Sequence, residues 1–188
     1  MSWTDVEKKS GEKKDKIPFT AFKTGNTLIR VLDAEPYSFW NHWMTKQNKG
    51  AVCIRKGCPI CSVIANQKAN KEVPTYNSSQ RHAVRIWNYD TNQMEVMAQG
   101  KMFFEQLLNL HREVGNILTY DIKVTRKGDG TETTYMLLPT TPAEFKIVEG
   151  VTELDFEEFF KPMEKEQMLQ LMEGKTYEEV FGSGDVTE

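Results

Sequence analysis

The sequence predicts a mainly β fold with some helix: a small five-stranded barrel, interrupted by one compact insertion and followed by a short helical, acidic C-terminal region. Three observations point there. Short runs rich in β-branched and aromatic residues recur and end at turn residues. One strongly amphipathic stretch, 101–114, falls between two hairpin patterns. All three cysteines lie between positions 53 and 61, after the second extended run.

The elements follow in order. Residues 1–16 are rich in Lys, Glu and Asp with few apolar residues, which predicts a mobile arm. Thr27 to Leu32 reads as a strand that ends at the turn Asp33-Ala34-Glu35-Pro36, and Tyr37 to Lys46 as a second, aromatic-rich extended run. The cysteine segment comes next, then a short helix over 62–71 and a loop over 72–80 that holds Pro74, Asn77, Ser78 and Ser79. Arg81 to Tyr89 and Met94 to Ala98 form a hairpin about Asp90-Thr91-Asn92. Lys101 to Val114 is a helix whose Phe103, Phe104, Leu107, Leu108, Leu110 and Val114 make one wide apolar stripe, with Gly115 as its C-cap. Ile117 to Arg126 and Thr133 to Leu138 pair around Lys127-Gly128-Asp129-Gly130. Several strands with one helix before the last hairpin match an OB-fold barrel, with a small β-sandwich as the alternative. After Pro142 the strand patterns stop. Short helices are expected before Pro162, over 163–173 closed by Gly174, and after the capping box Thr176-x-x-Glu179, with a flexible end from Gly182. The organisation predicted is an arm (1–16), a core (17–148) that includes a subdomain at 42–71, and an acidic helical region and tail (149–188).

The subdomain carries the most specific chemistry. Its pattern is His42-x10-Cys53-x4-Cys58-Pro59-Ile60-Cys61. An odd number of cysteines argues against a disulfide framework. The Cys58-x-x-Cys61 spacing is that of a zinc knuckle, whose turn aims two thiolates at one ion. Cys53 adds a third thiolate, and His42 is the nearest imidazole of the three in the chain. These four predict one structural Zn²⁺, because a closed Cys₃His tetrahedron leaves no position for reactive water. An iron centre and a Cys-x-x-Cys redox pair are the competing readings.

Charge is divided along the chain. Residues 1–148 carry 21 Lys and Arg against 15 Asp and Glu, a net +6, whereas residues 149–188 carry 3 against 12, a net −9. A basic body with an acidic end suits a polyanion-binding surface beside a polyanion mimic; solubility is the plainer account. No run of 18 apolar residues exists and the N-terminus has mixed charge, so neither a membrane span nor a secretory signal is expected and the cytoplasm is the expected location.

Strand alternation separates the faces. Val84 and Ile86 point one way as core, while Arg85, Trp87 and Tyr89 point the other, a cation and two rings suited to single-stranded nucleic acid. Arg30 on the first strand, Lys123 and Lys127 near the last hairpin, and Lys46, Lys49, Arg55 and Lys56 around the cysteines supply further cations. Rings on strands also pack cores, and Tyr37, Phe39, Trp40 and Trp43 can serve there.

From Gly25 to Leu138 the chain resembles phage-encoded single-stranded DNA-binding proteins of the T-even helix-destabilising type. The likeness rests on Thr27-Leu28-Ile29-Arg30-Val31-Leu32-Asp33, Phe39-Trp40-Asn41-His42-Trp43, Lys56-Gly57-Cys58-Pro59-Ile60-Cys61 and Tyr120-Asp121-Ile122-Lys123-Val124-Thr125-Arg126-Lys127-Gly128. It implies an OB-fold with an inserted zinc subdomain, and sequence-tolerant coating of single-stranded DNA in phage replication, recombination and repair inside a bacterial host. It also implies that the acidic C-terminal region recruits replication and recombination proteins and competes with DNA, and that the N-terminal arm drives self-association along the strand. No P-loop, paired carboxylates or nucleophile–His set suggests an enzyme. A zinc-ribbon adaptor and a single-stranded RNA binder are the other functions considered.

Overall fold

A computed structural model describes residues 17–147 and 149–182. Its strands are β1 (Gly25–Val31), β2 (Tyr37–Met44), β3 (Lys49–Val52), β4 (Asn77–Asn88), β5 (Gln93–Gly100), β6 (Ile122–Lys127) and β7 (Thr134–Pro139). Its α-helices are α1 (Pro59–Ala69), α2 (Lys101–Val114), α3 (Phe156–Phe159), α4 (Lys165–Glu173) and α5 (Tyr177–Phe181). The predicted arm over 1–16 and the end beyond Gly182 lie outside the described residues.

All seven strands join one antiparallel sheet in the order β3-β2-β4-β1-β6-β7, with β5 also on β4. The long β4 is its spine. Its first half pairs with β2 (Tyr37↔Ala83 to Trp43↔Asn77), and its second half pairs with β1 (Val31↔Ile86 to Ile29↔Asn88). On the edge of β4 that faces β2 and β1, Arg85 falls between those two partners and meets neither. The Asp33 carboxylate accepts its N–H at 2.6 Å, and Leu32 donates to its carbonyl at 3.0 Å, so the gap leaves no orphaned group.

The expected five-stranded barrel gives way here to a seven-stranded sheet that is not closed. Along the path β5-β4-β1-β6-β7 the terminal strands do not pair with each other. Helix α2 bridges them instead, packing on β5 and β7, with Gln106 donating to the Tyr135 carbonyl. Its Phe103 and Leu107 enter a core with Ile29, Val31, Val84, Ile86, Tyr120, Ile122 and Val124. The apolar stripe is narrower than its sequence suggested, since Leu108 and Val114 remain exposed.

Three further boundaries differ from expectation. A short strand, β3, occupies part of the cysteine segment, because β2 has a free edge there for it to pair with. Strand β4 starts at Asn77 rather than Arg81, since β2 supplies partners for 77–80. Helix α1 starts at Pro59 rather than Ser62, proline at the first helical position losing no hydrogen bond. In the last hairpin Gly128 is required: a Cβ there would stand 2.5 Å from the Glu132 carbonyl oxygen, and its φ is +75°.

Past β7 the chain turns back over the sheet. Residues 142–160 cross the face opposite α2. There Phe160 packs with Ala83 and Val96, and the Tyr37 and Phe39 rings lie against it. Helices α4 and α5 then reach the β2–β3 end, where Met168 and Leu171 are fully buried.

Candidate metal centre and nucleic-acid face

The four predicted ligands converge. His42 lies on β2, Cys53 directly follows β3, Cys58 is the N-cap of α1, and Cys61 is in its first turn. The chain bends between them through Arg55 and Gly57, both with positive φ (67° and 75°). Their ligand atoms all lie within 4.8 Å of one another. Cys53 Sγ is 3.6 Å from Cys61 Sγ, and His42 Nε2 is 3.4 Å from Cys58 Sγ and 3.6 Å from Cys61 Sγ. A tetrahedral ion with bonds of about 2.0–2.3 Å needs ligand edges of roughly 3.5–3.8 Å, so the residues fit such an ion.

The surroundings favour a cation. The Asn77 carbonyl, which can only accept, takes the His42 Nδ1 proton at 3.3 Å, leaving the Nε2 lone pair for the cluster. The Arg55 backbone N–H donates to Cys53 Sγ. Burial pushes the Cys53 thiol up and pushes Cys61 to about 12, with the neighbouring thiols adding to the latter; burial holds His42 below the usual imidazole range. A positive ion bound by the four side chains would offset that burial and hold the thiols as thiolates. Zn²⁺ is the ion this soft donor set suits best, and it would tie β2, β3 and α1 together.

On the sheet, alternation is obeyed but exposure is not. Val84 and Ile86 enter the α2 core, and Arg85, Trp87 and Tyr89 share the opposite face with Arg30. That face is covered by residues 142–153. Arg30, 1% exposed, donates to Asp121 at 2.6 Å and to the carbonyls of Leu118 and Ala143. Its guanidinium also lies 5.6 Å from the centre of the Phe145 ring. Arg85 binds Asp33 at 2.7 Å and also donates to the Thr152 carbonyl and Glu153. Trp87, 4% exposed, meets Phe145 edge-on, and a Cβ on Gly150 would stand 3.7 Å from its ring. Tyr89 donates to Asp121 at 3.0 Å; burial, then that carboxylate, pushes its phenol to about 12. These four were predicted as DNA-contacting residues, and in this conformation they are internal partners of the chain.

The remaining predicted cations stay at the surface. Lys123 and Lys127 are exposed on β6, as are Lys46, Arg55 and Lys56 around the metal cluster. The Arg55 guanidinium lies over the Trp40 ring at 5.0 Å. Sequence reasoning passed over Arg81 and offered Trp43 as core packing, whereas both face outward. Arg81 shares the Arg85 face of β4, and Trp43 is exposed at the end of β2. The signal for Trp43 was present: once His42 points to the cluster, its neighbour must point away.

The molecule is thus a mainly β chain that carries a Cys₃His cluster fit for a structural metal. No protein-family model, curated protein or solved structure matches it. None of the helices among the described residues is long and apolar enough to cross a membrane.

Proposed function

We propose that the chain is a sequence-tolerant single-stranded DNA-binding protein without catalytic activity, which coats and protects DNA in phage replication, recombination and repair. The observation that carries this reading is what covers the Arg30–Arg85–Trp87–Tyr89 face. Carbonyl oxygens of Ala143 and Thr152 and the Glu153 carboxylate sit on the guanidiniums, and the Phe145 ring meets Trp87 edge-on. Oxygen acceptors beside flat rings are what a single strand offers. Residues 143–147 and 149–153 form no helix or strand and are mostly exposed, so they are the removable part of the cover. Helix α3, by contrast, is bound into the sheet through Phe160.

In this reading β1, β4, β5, β6 and β7 constitute an OB-type unit with α2 before its last hairpin, and the metal segment is inserted between β1 and β4. The Zn²⁺ staples that insertion as one wall of the binding region. The acidic residues of α4 and α5 are proposed to dock replication and recombination proteins, and copies of the chain to associate along the strand.

Oligonucleotide binding as a function of salt tests this. Single-stranded DNA should bind better than duplex, with log affinity falling linearly in log salt by about 0.7 per phosphate contacted. Glu153→Gln should raise affinity modestly by removing the carboxylate that competes with phosphate for Arg85, which keeps its Asp33 and Thr152 partners. Equal binding of duplex, or no binding, would overturn the proposal, and equal affinity for single-stranded RNA would broaden it to single strands generally.

A further inference from the structure

The metal subdomain has a charge character that the acidic helices packed on it do not share. Residues 37–71 contain Lys46, Lys49, Arg55, Lys56, Lys68 and Lys71 and no Asp or Glu. Among the described residues no ion pair joins any of the six to a carboxylate. A divalent ion among three thiolates lowers that surplus by only one. A stretch of 35 residues with this balance is suited to a polyanion.

Trp43 stands on the same subdomain, 46% exposed. Its strand neighbours are Gly50 on β3, which has no side chain, and Asn77 on β4. By alternation it shares the face of Arg81, Arg85 and Trp87. The segment that covers Tyr37 and Phe39 through Phe156 and Phe160 leaves the Trp43 ring open. From Trp43 the outward positions of β4 lead through Ser79 to Arg81, which has no ion-pair partner among the described residues. An open ring on a strand hydrogen-bonded on both sides is already held for stacking and loses little freedom on binding.

We infer that Trp43 is a base-stacking platform, and that a bound single strand runs from the Arg85 face of the sheet onto the metal subdomain, with Arg81 holding phosphate between them. This rests on the single-strand reading above and adds a path and a contact residue to it. It also separates the roles of adjacent residues: His42 belongs to the cluster and Trp43 to the ligand.

The test is fluorescence and anisotropy titration of the full-length, metal-loaded protein with a thymidine oligonucleotide. Wild type, Trp43→Ala and Trp43→Phe are compared, with metal content and circular dichroism as folding controls. Expected are oligonucleotide quenching of tryptophan emission in wild type, loss of most of it in both variants, affinity about 5- to 100-fold weaker for Trp43→Ala, and substantial recovery in Trp43→Phe. Binding by wild type with Trp43→Ala unchanged within twofold would overturn this inference and leave the single-strand reading standing. Equal losses in Ala and Phe variants would overturn stacking. No oligonucleotide binding by wild type would defeat the underlying reading itself.

Discussion

One sheet supports two cores of different construction. Under α2 the core is made of large apolar side chains: Ile29, Ile86, Met97, Phe103, Leu107, Tyr120 and Ile122. At the β2–β3 end, two cysteines and the imidazole of His42 occupy the centre, and Met44, Ala51, Ile60 and Ile64 surround them. The first core is complete within residues 22–137, the span of the sheet and α2. The second is completed from far away: Met168 Sδ lies 3.7 Å from Cys58 Sγ, and Gln47 donates to the carbonyls of Leu171 and Lys175. A small subdomain has little apolar area of its own to bury, so a borrowed helix packs on it, and an ion in the cluster would add to that support. The C-terminal helices are thus part of the metal subdomain's packing, not an appendage to the sheet.

The sharpest way to break the comparison is to remove the metal. Structural zinc contributes on the order of 10–16 kcal/mol in small sites, which exceeds what this end can replace. Chelation, or Cys58→Ser, should open residues 42–71 together with 161–181 to protease while 93–126 stays protected. Mass mapping of the fragments checks this, and cleavage of the α2 hairpins at the same rate would show that the two cores are one. Phe103→Ala attacks the other core and should cost about 3–5 kcal/mol in thermal or denaturant unfolding. Its metal content should stay at one ion per chain.

A smaller effect tests the long-range contact. Met168→Ala should cost about 2–4 kcal/mol and release α4 and α5, which raises proteolysis at 161–181 ahead of 42–71. If both segments yield together, the helix and the cluster form a single cooperative unit. The smallest change in stability belongs to Lys123→Ala, which should stay within about 0.5 kcal/mol because the side chain is exposed. Its effect should appear only in binding, as a salt slope shallower by about 0.7.

How much could be read beforehand differs between the two ends. Ligand identity was legible because a knuckle is local: Cys58 and Cys61 are three positions apart, and only one imidazole is near. Strand faces were legible for Val84, Ile86 and Arg85, since alternation is a property of the strand itself. Exposure was not legible. Arg30, Arg85, Trp87 and Tyr89 lie on the face that the pattern assigned, yet their partners come from between Leu118 and Glu153, up to 113 positions along the chain from Arg30, and for Arg85 also from Asp33, 52 positions before it. No local pattern reports a cover that comes from so far away.

The sequence by itself determined the mainly β class, the helix at 101–114, the acidic C-terminal helices with the Gly174 and Thr176 caps, and the four-residue cluster. Each follows from spacing within a short stretch of chain, where backbone geometry and side-chain chemistry act directly. Only the tertiary structure decided that the sheet has seven strands and does not close, that α4 belongs to the metal subdomain, and that Trp87 is covered while Trp43 is open. Those outcomes depend on which distant segments find each other, a choice set by total buried area and satisfied polar groups rather than by any short stretch of chain.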